Sequence, residues 1–487
     1  MAKSLLPLVE WTPDLPSYGG GEVTALNVIP WRGSYKSFPS MSLYSNALTA
    51  RCQGAYFTRD NAANVYNFAG DATKLYSLAT ATYNDVSRTS GGAYATAVDD
   101  WWEFTNWGQT VIATNYFDVP QVITLGGANF AALAGSPPKA RHIAVVKDFV
   151  VLGNLNDGSA APNRVRWSAL NDSTDWTISV ATQADEQDFQ GDGGWVQKIV
   201  GGEFGLVFME RQVWRMIYVG SPLIFQFDLV EKGRGAYCPQ GTIGYGNMVF
   251  FIADDGFYVM VGGGSAQPIG DGKVDKYFLN NLLSSSNYLV NAVLDPVNKI
   301  VMWAFPDGGA GAYCNNVLIY NWAVGKWALA QFNTETFVRF ASPGYTLEQL
   351  DTISSSIDTL TPSLDSRTWT GGAQSLAAFD TSHRLNNLAG TAMAATVTTG
   401  EKQLTPGRRS RIVKTRPLVD GVSASVALRT RNILSESTST GSAVAQNAFG
   451  ECPANSDARY HSAVVTTSGA FNFIQGTEVE FNPSAER

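Results

Sequence analysis

The chain has little charge, few cysteines, only three histidines and no long apolar run. Asp, Glu, Lys and Arg make up 16% of its 487 residues, well below the roughly 25% of an ordinary soluble domain. Much of its surface is therefore polar without being charged, or hidden against partners. The formal net charge of -8 argues against a protein that wraps DNA or reads its sequence, because such proteins neutralise phosphates with clustered Lys and Arg. Cys52, Cys238, Cys314 and Cys452 lie far apart without C-x-x-C or Cys/His spacing. They support neither a zinc site nor a disulfide framework and read as buried free thiols. No segment reaches the roughly 18 apolar residues of a membrane span. The opening MAKSLLPLVEWTPDLP has too short an apolar core for a signal peptide, so synthesis and folding are expected in the cytoplasm.

Catalytic groups are equally thin. His142, His383 and His461 each stand beside an Arg, and nothing pairs them with a nucleophile turn or a zinc-binding helix, so they read as surface or strand-end residues. Gly272-Lys273 and Gly325-Lys326 lack the upstream glycine and the following Ser or Thr of a phosphate loop. A propeller glycosidase needs two carboxylates facing one sugar. Asp99, Asp100 and Glu103 beside Trp101, Trp102 and Trp107 form the best cluster for that, and Asp185, Glu186 and Asp188 the next. Solvated loop acids are commoner than either. The loop DEQDFQGDGG offers oxygen ligands but not a calcium-loop pattern. No catalytic residue, metal or cofactor is assigned.

What the chain does have is repetition. Hydrophobic strand cores begin at Val65, Thr110, Phe149, Leu206, Val249 and Ile300, at spacings of 39 to 57 residues, straddling the roughly 40 to 50 residues of one β-propeller blade. Tight polar turns follow them, most clearly MVFFIA, Asp254-Asp255-Gly256, FYVMVGG, where the Asp-Gly step supplies the positive backbone angles of a hairpin. Trp167, Trp176, Trp195, Trp214, Trp303, Trp322 and Trp327 recur near strand ends. They read as a sugar platform or as packing between blades, and packing is the commoner use. Residues 1–50, with five prolines and a Gly19-Gly20-Gly21 run, read as an extended arm or closing strand with a short strand near 23–29. Leu347, Leu350, Ile353, Ile357, Leu360 and Leu364 share one helical face, which predicts a short helical insertion limited by Pro362. Beyond about residue 395, period-two segments such as RIVKTRPLV and SAVVTTSG predict a small β-sandwich.

The fold expected is thus all-β: a propeller-like body of about six to seven blades over 51–345, a helical insertion and return strand over 346–394, and a β-sandwich-like domain over 395–487. One basic run interrupts the acidic chain: Arg408, Arg409, Arg411, Lys414 and Arg416. Strict strand alternation would put these side chains on both faces. A charged edge, an interface with acids of a neighbour, or a phosphate contact are the alternatives, and the run is taken as a candidate assembly interface.

Several segments carry a resemblance: WTPDLPSYGGGEVTALNVIPWRGSYKSFPSM, LTARCQGAYFTRDNAANVYNFAGDATKLYSL, RHIAVVKDFVVLGN, PNRVRWSALNDSTDW, DGGWVQKIVGGEFGLVFMERQVWRM, LDSRTWTGGAQSLAAFD and RYHSAVVTTSGAFNFIQGTEVEFNPSAER. Their sequence and order resemble the tail nozzle proteins of short-tailed bacteriophages, also called tail hub or head-completion stabilisation proteins. The resemblance implies a virion protein of six copies forming a tube below the portal and adaptor proteins. Tail fibres or spikes would be further contacts, and genomic double-stranded DNA would be retained and then conducted without sequence-specific binding. It transfers an architecture and a role but no active site. Six copies at -8 each would repel a sliding phosphate backbone. Rival expectations are a propeller glycosidase or depolymerase, and a carbohydrate-binding adhesin.

Overall fold

Val65–Gly70, Thr110–Thr114, Phe149–Asp157, Gly205–Met209, Met248–Ala253 and Ile300–Phe305 each form the second strand of a four-stranded antiparallel unit. The six repeated cores therefore mark one position in six successive blades. In the computed structural model, which describes residues 2–16, 18, 24–308, 311–342, 356 and 374–484, seven such units surround an axis. Blades 1 to 6 span residues 55–85, 103–132, 140–188, 196–232, 243–268 and 291–334, and each runs in chain order from the axis outward. Blade 7 takes Thr336–Ala341, Gln374–Phe379 and Arg384–Asn387 from late in the chain, and its outermost strand, Ser42–Ala47, from the start. The innermost strands Thr336–Ala341 and Ala55–Arg59 pack together and close the ring.

The hydrophobic core is divided among the seams between blades, as a wheel of sheets requires. Blades 3 and 4 share a buried cluster that includes Val146, Phe149, Trp167, Val207, Met216 and Phe225. Blades 1 and 2 share Phe68, Leu75, Trp102, Val111 and Phe130. Trp303 and Trp327 of blade 6 stack 5.7 Å apart, and Phe257 of blade 5 meets them at 4.9 and 5.1 Å. These indoles serve as packing between blades. Trp195 differs, at 50% exposure. All four cysteines are buried free thiols, and burial pushes Cys52 up to about 12, a protonated and inert state.

The C-terminal domain is a two-sheet sandwich built from both ends of the chain. One sheet orders Val28–Trp31, Ser34–Ser37, Ile474–Pro483, Ser410–Val419 and Cys452–Ala458, with Ala2–Pro7 also paired to Ile474–Pro483. In the other, Thr24–Leu26, Ala395–Thr398, Tyr460–Thr467 and Ala424–Arg431 lie side by side. Leu26 also pairs in parallel with Leu329 of blade 6, so blade and sandwich form one sheet of eleven strands. The first fifty residues supply sandwich strands, among them Thr24–Leu26 where the sequence predicts a short strand, and also the closing strand Ser42–Ala47, so the closing-strand alternative describes them and the extended arm does not.

Other details depart from the sequence reading. His142 and His461 are buried, at 1% and 0% exposure, because each side chain points inward from a strand of a packed sheet. Gly256 has φ +148°, but it begins the outgoing strand and pairs with Ala253 across Asp254-Asp255. Its lack of a side chain makes room for the Asp275 carboxyl, which a Cβ would strike. The helix Asp275–Asn281 was not anticipated. Asp14 caps it, accepting from the Lys276 and Tyr277 amides at 2.9 and 2.8 Å. The helix expected around Leu347–Leu364 falls outside the described residues.

Gly70 shows how tightly the blade seam is filled. A Cβ there would lie 2.7 Å from Cγ and 2.8 Å from Nε1 of Trp102, whose indole N–H donates to the Asp71 carbonyl at 2.9 Å. Gly70→Ala is expected to lower the urea unfolding free energy by about 1–3 kcal/mol through overpacking; an unchanged midpoint would mean that the ring has space to retreat.

Candidate functional site

The axis of the wheel is where chemistry-bearing side chains from different blades meet. Inner strands begin there, so the first residues of successive blades come together although they are far apart in sequence. Glu103 opens the inner strand of blade 2, His142 stands near the start of blade 3, Lys198 lies in the inner strand of blade 4, and Gln240 sits in the 3-10 turn before blade 5. Glu103 Oε1 accepts from Lys198 Nζ at 2.7 Å and from Gln240 Nε2 at 2.9 Å, and His142 Nδ1 lies 2.9 Å away. Lys198 also donates to Gln240 Oε1 at 2.9 Å. The Ile143 amide approaches Glu103 Oε2 at 3.4 Å.

Burial alone would raise the proton affinity of Glu103. The Lys198 ammonium and His142 together outweigh it and hold the carboxyl well below its ordinary range. Glu103 is therefore ionised, and its Oε1 is the acceptor shared by Lys198, Gln240 and His142. Burial lowers the proton affinity of His142 despite the neighbouring carboxylate, so the ring is neutral. Asp100, 4% exposed, pairs with Arg141 at 2.8 Å, yet burial outweighs that attraction and pushes it up to about 6.

On one side of this knot the inner strands border an open channel space of about 660 Å³ lined by Tyr56, Phe104, Ala144, Lys198 and Gly244. On the other, the mouth of the axis opens into a cavity of about 730 Å³ bordered by Asp100, Trp101, His142, Gln240, Asp254 and Tyr288. Gln240 borders both. Trp101 is held in place: its N–H donates to the Tyr288 carbonyl at 2.8 Å, and the Arg51 guanidinium lies over its ring at 5.7 Å.

The sequence singled out Asp99, Asp100 and Glu103 without their partners. Lys198 and Gln240 were missed, since nothing local marks them. Asp185, Glu186 and Asp188 lie on the outermost strand of blade 3, where Arg164 pairs with Glu186 at 2.9 Å and with Asp188 at 2.5 Å. Glu186 and Asp188 of DEQDFQGDGG thus face a guanidinium, and among the described residues no group of three or more His, Cys, Asp or Glu side chains could hold a metal ion.

The basic run behaves differently from strict alternation. A β-bulge between Ile412 and Lys414 shifts the phase of Ser410–Val419. Ser410, Ile412, Thr415 and Pro417 point inward, while Arg411, Lys414 and Arg416 share the outer face. Lys414 pairs with Glu451 at 3.0 Å and Glu480 at 3.3 Å, and Lys3 joins Glu480 at 3.1 Å. Arg411 donates to Asn455 at 3.0 Å, Arg416 to the Phe449 carbonyl at 3.0 Å, and Arg409 to the Asp457 carbonyl at 2.9 Å. Arg408 occupies the exposed turn before the strand. Much of the run's charge is matched across strands inside the chain.

No family model and no curated protein matches this chain. Among solved structures, the chain is similar to the extracellular domain of a one component system from B. thetaiotaomicron, at 10% identity and a TM-score of 0.43, over 77% of this chain and 43% of that one. The extracellular domain of a hybrid two component system from the same organism gives 10% and 0.44, over 79% and 44%. The Neurospora crassa Pan2 WD40 domain gives 8% and 0.38, over 69% of this chain and 88% of that one. The chain spans less than half the length of the first two.

Removing Lys198 would leave Glu103 buried beside a neutral imidazole. Lys198→Met is expected to cost about 3–5 kcal/mol, and Lys198→Met combined with Glu103→Gln much less, because no buried charge is then stranded; equal losses in a urea titration would contradict this. Since the folded pKa of Glu103 is depressed, its contribution is present above the ordinary value of 4.5 and is lost as pH falls below it. Between about pH 5 and about pH 3 the wild type should therefore lose stability more steeply than Glu103→Gln.

Proposed function

We propose that this chain is a structural subunit of a short-tailed phage tail, a nozzle protein that assembles into a ring of six and bounds the path of the packaged DNA. The observation that supports this reading best is the set of bonds that tie the blades together at the axis. On this reading a wheel whose centre is tied across four blades by Glu103, Lys198, His142 and Gln240 serves as a wall element, and the duplex passes between copies. The eleven-stranded sheet that joins blade 6 to the sandwich suits a rigid wall. The net charge of -8 suits a surface past which phosphates slide without sticking. The order of the resembling segments, spread along most of the sequence, supports the same role. Under this reading the subunit performs no catalysis, is made in the host cytoplasm and resides in the virion. Its partners are its own copies, the adaptor proteins, and tail fibres or spikes.

Electron microscopy of the purified protein, alone and mixed with the adaptor ring, tests the proposal directly. Six-fold rings with an open bore are expected on the adaptor; single wheels that never associate with it would sink the reading. The outward basic face is the candidate contact. Arg409→Glu with Arg411→Glu should reduce ring formation by mass measurement more than it weakens monomer folding, where loss of the bonds to Asp457 and Asn455 costs about 1–2 kcal/mol. Rings formed as readily as by wild type would remove those residues from the interface.

A further inference from the structure

We propose that an exposed apolar patch on blades 3 and 4 receives the basic sandwich face of a second copy of this chain, so that copies join head to tail. The inference rests on the ring assembly proposed above and names the contact that builds it.

The patch lies where two outer loops meet. The loop that follows Ser159–Trp167 of blade 3 carries exposed Leu170, Ile178 and Val180, and the hairpin end that follows Gln212–Gly220 of blade 4 carries Val219 and Leu223, the latter 62% exposed. Tyr218 Oη donates to Gln183 Oε1 at 2.8 Å, which ties the hairpin end to that loop. Within the loop the Leu170 amide donates to the Thr182 carbonyl at 3.0 Å and Ile178 bridges to Ala184, so the exposed side chains gather about one junction. A single exposed apolar residue is ordinary, whereas several together mark an interaction site.

Charge indicates what covers the patch. Asp148, Asp172 and Asp175 flank the same loop: the Asn171 amide donates to the Asp148 carbonyl at 2.8 Å, and the carboxylates of Asp172 and Asp175 accept from the Thr174 and Thr177 amides at 2.8 and 2.9 Å. Lys147, next to Asp148, is held by Glu203 at 3.1 Å. Among the described residues no cation lies within ion-pair distance of the three acids. An apolar surface with a negative rim repels nucleic acid and anionic lipid and fits an apolar knob with a positive rim. The sandwich presents one. Phe449 is 79% exposed, and Arg416 donates to its carbonyl at 3.0 Å. Arg416 and Arg411 share the outer face and bond to neutral partners, the Phe449 carbonyl and Asn455, so their charges stay unmatched where that of Lys414 is not.

The two surfaces sit on different sides of the wheel. The sandwich joins the outermost strand of blade 6 at the Leu26–Leu329 pair, and blades 4 and 3 are two and three seats away in a ring of seven. Two unlike patches on separate sides of one subunit make a heterologous contact, the kind that closes into rings.

Sedimentation velocity on the full chain tests this. Val219→Asp with Leu223→Asp spoils the receiving patch, and Phe449→Asp spoils the knob; all three positions are exposed. Each variant should self-associate about tenfold more weakly than wild type, or worse. Mixed one to one, the two should form dimers that grow no further, because each supplies the surface the other lacks, and such dimers also show that both variants fold. Asp172→Arg with Asp175→Arg should restore association lost by Arg411→Asp with Arg416→Asp. Variants that associate as wild type does, a mixture that stays monomeric, or charge reversal without recovery would each overturn the contact. A wild type that is monomeric throughout would overturn it too, and six-fold rings on the adaptor would then still uphold the nozzle reading. In that case, loss of adaptor binding by Val219→Asp with Leu223→Asp would give the patch to the adaptor.

Discussion

Closure of the ring is the constraint on which the rest of the architecture depends. Every blade but the seventh is made from consecutive strands, and the seventh is complete only when Ser42–Ala47 lies against Arg384–Asn387. The Leu385 amide donates to Ser45 Oγ at 3.1 Å across that junction. Beside it, Glu335 accepts from the Cys52 amide at 3.0 Å and pairs with His383 at 2.6 Å, so the polypeptide just before blade 1 is tied to blade 7. With the ring shut, the inner strands can bring Glu103, His142, Lys198 and Gln240 to one point.

The sandwich extends the same logic. Its sheets combine strands from residues 2–37 with strands from 395–483, and Ile412, Val465, Ile474 and Phe481 belong to one buried cluster with Trp303 and Trp327 of blade 6. Propeller and sandwich therefore share a core as well as a sheet. Because the two parts share one buried apolar cluster and one sheet, independent swinging is not the expectation.

The wheel was legible in the sequence because all six hydrophobic repeats fall on the second strand of a blade, buried on both faces and hence a continuous apolar run. Blade 7 escaped because its second strand, Gln374–Phe379, follows the stretch around Leu347–Leu364, which breaks the spacing. The sandwich strands after residue 395 were legible from their period of two, whereas their partners near the start were not, since pairing such as Leu26 with Thr396 or Ala2 with Phe481 leaves no local trace. The site divided similarly. Glu103 stood out among tryptophans, but its partners are 39, 95 and 137 residues away. The outward face of Arg411, Lys414 and Arg416 depends on a bulge that no alternation rule contains.

The closing strand also sets a timetable. Ser42–Ala47 leaves the ribosome early, and its partner Arg384–Asn387 comes some 340 residues later. At roughly 5–20 residues per second, the nascent chain holds an unsatisfied strand edge for tens of seconds. Any polypeptide released before residue 384 keeps that edge permanently. Incomplete chains therefore expose an unpaired edge by construction, which makes interrupted synthesis a hazard of aggregation for this fold.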